Sequence, residues 1–192
     1  EVKEILKYLY KLRADNPDTG GYAYKAQTRD IAVVELLFAT GIRVSELCEL
    51  SCDAVDLKQA TIKVFGKGSK ERVIQICSVE VLKILRQYQR LFAPSKCFFI
   101  NRLGNRLSSQ SVRLLIKRCR EEIGIGKKIT PHTFRHTFAT LLLEEDVDIK
   151  YIQNLLGHSS ITTTQIYTHV NMNKQKKILS SKHPRKKMEM EE

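Results

Sequence analysis

The chain has 192 residues, 42% of them hydrophobic, enough for one ordinary core or one core with an appendage. No run reaches the roughly 18 apolar residues of a transmembrane helix, and the opening "EVKEILKYLYKLR" has neither the apolar stretch nor the cleavage site of a signal peptide. Lys and Arg number 33 against 21 acids, a net charge of +12 that points to a polyanion partner, most often nucleic acid; five cysteines, an odd number without a CxxC pair, argue against a disulfide framework and suit a reducing, cytoplasmic compartment.

The opening segment predicts a charged amphipathic helix over residues 1–14. A polar loop, "ADNPDTGGYAY", follows, broken by Pro17, Gly20 and Gly21. "TRDIAVVELLFAT" reads as a strongly apolar helix that ends at Gly41, which suits a left-handed C-cap. The intervening segment 15–27 has no assignable role. "RVSELCEL" is a short helix. "ATIKVFGKGSKERVIQI" then alternates apolar and polar residues on both sides of Gly66-Lys67-Gly68, the pattern of a β-hairpin.

"VEVLKILRQYQRLF" is helical again, and "CFFI" with the turn "NRLGNRL" reads as a short strand and turn. "SSQSVRLLIKRCREEIG" is a helix with a serine cap and a closing glycine. In "TPHTFRHTFATLLLEED", Thr130 can cap and Pro131 fits the first helical position, with Phe134, Phe138 and Leu141 or Leu142 as the buried stripe. Two short helices flank Gly157, and a basic helix begins near residue 171. The fold class is therefore mainly α with a small antiparallel sheet (α+β). The organisation expected is a domain over 1–181, its last helix at 171–181, and a charged, disordered tail at 182–192.

Several side chains could do chemistry. Arg43 heads a short helix beside an apolar one, a setting for a structural ion pair or for anion recognition, and Glu46 lies one turn on to pair with it or hold it. Lys67 sits between two glycines at the hairpin tip, where it could reach a phosphate or a leaving-group oxygen; Lys70 competes for that role. His132 and Arg135 are three apart in the first turns of a helix, where free N–H groups and the dipole favour an anion. His136 points elsewhere. His158 follows Gly157 in a break between helices, and Tyr167 follows nine residues later. Singly, His158 and Tyr167 read as structural, as do Tyr8, Tyr10 and Tyr151. Together, two arginines, two histidines, a lysine and a tyrosine form a set suited to attack on a phosphodiester. Guanidinium forks hold the non-bridging oxygens and stay charged. A tyrosine hydroxyl, with pKa ~10, needs cationic neighbours or a base to attack. A lysine can protonate the expelled sugar oxygen. No carboxylate cluster of the metal-site kind accompanies them, so neither metal nor other cofactor is expected.

"ATGIRVSELCEL", "GKGSKERVIQI", "TPHTFRHTFAT" and "LLGHSSITTTQIYTHV" resemble, in order and spacing, the four signature segments of the tyrosine recombinases, also called the phage integrase family. The resemblance spans roughly residues 28–175 and is nearest to the bacterial Xer-like and transposon-integrase branch. It implies a metal- and ATP-independent enzyme that breaks and rejoins DNA through a 3′-phosphotyrosyl link, as a homotetramer on double-stranded DNA and a monomer as the free fragment. Arg43 and Arg135 would bind the phosphate, with Glu46 supporting Arg43. Lys67 would be the general acid, a choice over Lys70 that only the resemblance makes. His132 and His158 would be the phosphate-binding histidines and Tyr167 the nucleophile. It also implies an amino-terminal DNA-clamping domain, absent from this chain, and a helix at 171–181 that docks on a neighbouring protomer. Two other readings are a type IB topoisomerase and a DNA-binding regulator without catalysis; the intact set of six side chains disfavours the second.

Overall fold

Residues 31–40 are almost wholly apolar, and a helix that is apolar on every side must sit inside the fold. In the computed structural model, which describes residues 1–65, 71–157 and 180–182, that stretch is the second half of α2 (Tyr22–Thr40), buried continuously from Asp30 to Thr40. Around it pack α1 (Val2–Ala14), α4 (Val79–Phe92) and α6 (Pro131–Glu144). Each of these is amphipathic and turns one stripe inward: Val2, Ile5, Leu6 and Leu9 from α1, Val81, Ile84, Leu85 and Tyr88 from α4, Phe134, Phe138 and Leu142 from α6. Leu142, not Leu141, completes the α6 stripe. The short α3 (Val44–Glu49), α5 (Ser109–Glu122) and α7 (Ile149–Leu156) complete the helices longer than one turn among the described residues.

Helix starts follow side-chain chemistry. The Ser78 and Ser108 hydroxyls accept from the Val81 and Ser111 amides at the heads of α4 and α5, and Asp148 accepts from Lys150 and Tyr151 at the head of α7. At α6 the Thr133 hydroxyl reaches back to the Thr130 amide, 3.0 Å away, ahead of Pro131. The expected hairpin is β2 (Thr61–Phe65) paired antiparallel with β3 (Glu71–Gln75), and a two-residue edge strand β1 (Val55–Asp56) extends it to three in the order β1-β2-β3. Ile62 faces Ile74 and Val64 faces Arg72 across the pair. The hairpin tip at residues 66–70 lies outside the described residues, as do residues 158–179 and 183–192.

The structure corrects the sequence reading in two places. First, α2 begins at Tyr22, not near residue 28. Gly21 is its extended N-cap, held by a hydrogen bond from its amide to the Asp18 carboxylate (2.8 Å), so the turn closes at the glycine pair. Residues 22–27 are therefore helix, and they carry contacts: Asn16 bonds Gln27, Arg13 lies over the rings of Tyr10 and Tyr24, and Gln87 bonds the Tyr24 hydroxyl, joining α1 and α2 to α4. Second, "CFFI" forms no strand; only isolated bridges, Ser51 to Cys97 and Ile100 to Arg106, are present. Phe98 and Phe99 are both fully buried, which a two-faced strand at a surface cannot do. Their backbone is satisfied irregularly: the Tyr88 hydroxyl donates to the Phe98 carbonyl (2.8 Å) and accepts from the Ile100 amide (3.0 Å).

Gly41 joins the two parts of the core. The large cluster is built on α1–α5 and the sheet; a second holds Phe138, Leu142, Val147, Ile152 and Leu156. Gly41 has φ +60°, and a Cβ there would lie 2.7 Å from Leu156 Cδ2 and 2.8 Å from Phe138 Cδ1. Gly41→Ala combines left-handed backbone strain with overpacking, and should lower unfolding free energy by about 2–4 kcal/mol. A drop in the urea midpoint with unchanged slope is the expected reading.

Candidate active site

The sharp turn at Gly41 ends α2, and Ile42 is buried, so the chain re-enters α3 with Arg43 as its N-cap. A helix start leaves amides unsatisfied. Here Glu46, three residues in, turns its carboxylate back. Oε2 accepts from the Arg43 amide at 3.0 Å, and Oε1 accepts from Arg43 Nη1 at 2.9 Å. The pairing that the spacing suggested is thus present. A second guanidinium meets the same carboxylate: Arg72 on β3 donates from Nη1 to Oε1 and from Nη2 to Oε2, both at 2.8 Å. Four donors converge on one carboxylate, which has about four lone-pair positions. Glu46 is therefore saturated, and it cannot take a proton from a substrate without breaking one of these bonds.

Arg135 comes from the second turn of α6 and is 8% exposed. Its Nη1 donates to the Gly41 carbonyl at 2.6 Å and its Nη2 to the Leu156 carbonyl at 2.7 Å. These oxygens sit at the C-terminal ends of α2 and α7, where carbonyls lack helical partners and the dipole is negative. Arg43 makes the matching contact next door, donating from Nη2 to the Gly157 carbonyl at 3.0 Å. The end of α7 is thus held by both arginines.

Among the described residues, three guanidiniums gather near one carboxylate that bonds only two of them, which leaves a local surplus of positive charge. Burial alone would raise the Glu46 carboxyl; the Arg72 fork, the Arg43 amide and both cations outweigh it and hold it down at about 2. Arg135 is shifted the other way for its class. Burial, then the Arg43 and Arg72 charges, lower it to about 10 against the opposing pull of Glu46, which leaves it charged at neutral pH. Of the group, Arg43 is the member most open to solvent: its side chain is 35% exposed, against 16% for Arg72 and 6% for Glu46.

The structure thus brings together Arg43, Glu46 and Arg135. His132 is exposed on the first turn of α6 while Arg135, expected on the same face, is buried; His136 is exposed as well. Tyr8 and Tyr10 pack against the main core and Tyr151 against the smaller one, as expected. Lys67, its competitor Lys70, His158 and Tyr167 lie outside the described residues, as does most of the segment 171–181. Arg72 was not anticipated. Its signal was available: in "ERVIQI" it shares strand parity with Ile74 and Ile76, both buried, so it lies on the core face, where a cation needs an acid.

The Glu46 carboxylate is depressed in the folded state, so its contribution is complete above about 4.5 and is lost as pH falls through about 2. Glu46→Gln should therefore lower stability by about 3 kcal/mol at pH 7. Urea unfolding of the two proteins should show a constant gap above pH 4.5 that narrows as pH approaches 2. A gap independent of pH would deny the carboxylate its role as counter-ion.

The chain is 51% identical over 189 residues to a tyrosine recombinase of Agathobacter rectalis, covering 96% of this chain and 61% of that protein. The crystal structure of XerA recombinase matches with a TM-score of 0.68 at 33% identity, over 94% of this chain and 63% of XerA. XerH site-specific recombinase, bound to palindromic difH substrate in a post-cleavage complex, matches with a TM-score of 0.67 at 25% identity, over 92% of this chain and 51% of XerH. The chain thus spans less than two thirds of each of these relatives. The model of the phage integrase family matches residues 2–174, and the chain belongs to that family, the tyrosine recombinases.

Proposed function

We propose that the chain carries the catalytic machinery of a site-specific DNA recombinase, which cleaves and rejoins strands through a 3′-phosphotyrosyl intermediate. The observation that carries this reading is the cluster of Arg43, Arg72 and Arg135 around the single, saturated carboxylate of Glu46. Its surplus charge, beside the N-terminal turns of α6, suits a phosphodiester. The net charge of +12 favours a DNA backbone, and XerH, a relative, is seen on its difH substrate.

In this reading Arg43 and Arg135 hold the non-bridging oxygens of the scissile phosphate, with His132 and His158 adding donors. The Tyr167 oxygen attacks phosphorus, the phosphorus–oxygen bond to the 5′ side breaks, and Lys67 protonates the leaving 5′-hydroxyl. The 3′-phosphotyrosyl ester keeps the energy of the broken bond, so religation by another 5′-hydroxyl needs neither ATP nor metal. Double-stranded DNA is the partner. Assembly is as a homotetramer on that DNA, with residues 171–181 docking on a neighbouring protomer, in the bacterial cytoplasm.

A nicked suicide substrate, whose short fragment bearing the freed 5′-hydroxyl diffuses away, tests the reading directly. The chain should accumulate a covalent adduct resistant to denaturant, and Tyr167→Phe should bind the DNA and form none. An adduct with Tyr167→Phe would assign the nucleophile elsewhere. Relaxation of supercoiled DNA without strand exchange would favour a topoisomerase. Lys67→Ala should slow cleavage about 100-fold or more on a normal strand, and far less on one with a 5′-thiol leaving group, which needs little protonation. An equal loss on both substrates would remove Lys67 from the role of general acid.

A further inference from the structure

Arg43 and Glu46, taken alone, would form an ordinary i,i+3 pair, free to close as a two-point fork. Such a fork would draw both terminal nitrogens of Arg43 onto α3 and away from a substrate. The structure shows a different arrangement, and Arg72 is the reason. Its fork occupies one position on each Glu46 oxygen, at 2.8 Å and 2.8 Å. The Arg43 amide takes a third position, on Oε2. One position remains, on Oε1, and Arg43 fills it with Nη1 alone. Nη2 is released to the Gly157 carbonyl. Of the five N–H donors of Arg43, two are committed to described residues, which leaves three for an anion.

Arg72 governs the second anchor as well. Its guanidinium lies against the bare Cα of Gly157, where a Cβ would meet Nη1 at 2.9 Å and Cζ at 3.1 Å. The acceptor of Arg43 Nη2 belongs to this same glycine. Arg72 is also ill-placed to meet a substrate itself. Its side chain is 16% exposed, and its Nε is buried without a partner among the described residues.

We infer that Arg72 is a positioning residue: by filling Glu46 from the hairpin side it keeps Arg43 from closing on that carboxylate and sets it open toward the scissile phosphate. The role rests on the recombinase reading above.

A double-mutant cycle on single-turnover cleavage of the suicide substrate tests it. Arg72→Lys keeps the charge but not the fork. It should leave DNA affinity within about 3-fold and slow cleavage about 10- to 100-fold, the usual effect of losing an orienting partner. In an Arg43→Ala background the same change should slow cleavage by less than about 3-fold, because the residue it positions is gone. Arg72→Met combined with Glu46→Gln removes the fork together with the carboxylate on which Arg43 would close; it should fold, bind DNA and cleave at least about 3-fold faster than Arg72→Met alone. Cleavage at the wild-type rate by Arg72→Lys, or no recovery when Glu46→Gln is added to Arg72→Met, would overturn the role. So would an equal loss in the presence and absence of Arg43, the signature of a structural effect. Absence of any adduct with the unaltered chain would instead overturn the recombinase reading, and this role with it.

Discussion

The Glu46 carboxylate is the constraint on which the site depends. One acid, almost fully buried, accepts from its own helix start, from Arg43 and twice from Arg72. Those donors come from the start of α3 and from the far strand of the hairpin. Taking a carboxylate out of water is unfavourable unless its lone pairs are filled, and here they are filled by two cations and an amide. The hairpin is thus tied to the start of α3 by charge, while its Ile62, Val64 and Ile74 are buried in the main core.

Arg135 is handled differently. Among the described residues it bonds no carboxylate, only the carbonyl ends of two helices, at 2.6 and 2.7 Å. Neutral acceptors satisfy its hydrogen-bonding geometry without cancelling its charge. The burial is offset by helix dipoles and by the pull of Glu46, yet Arg43 and Arg72 push against it. A site held in this state gains from an arriving anion, since the anion supplies the missing counter-charge and the fold has already organised the donors.

Much of this was legible in the sequence, and the residues show why. Helix ends at Ser108, Thr130 and Gly41 could be read because capping is local side-chain chemistry, and the hairpin because its alternation is local too. The pairing of Arg43 with Glu46 lies within one helical turn. What lay beyond reach were contacts to main-chain atoms far along the chain: Arg135 to Gly41 and Leu156, Arg43 to Gly157. A carbonyl has no residue signature. Tyr22 and Tyr24 looked like loop because glycines precede them, although the Asp18 turn is what starts the helix there. Arg72 had a signal in its strand parity, hidden among other cations of the hairpin segment.

The held end of α7 connects these parts. Leu156 and Gly157 give their carbonyls to Arg135 and Arg43, and Gly157 gives its bare face to Arg72. The chain leaves this point toward His158 and Tyr167 in a left-handed turn, φ +65°, which only a residue without a Cβ can make against a guanidinium packed so closely. The guanidiniums that would meet a phosphate therefore also fix where the segment bearing the proposed nucleophile departs. A change at Arg43 or Arg135 reaches the end of α7 directly, through the carbonyls of Gly157 and Leu156.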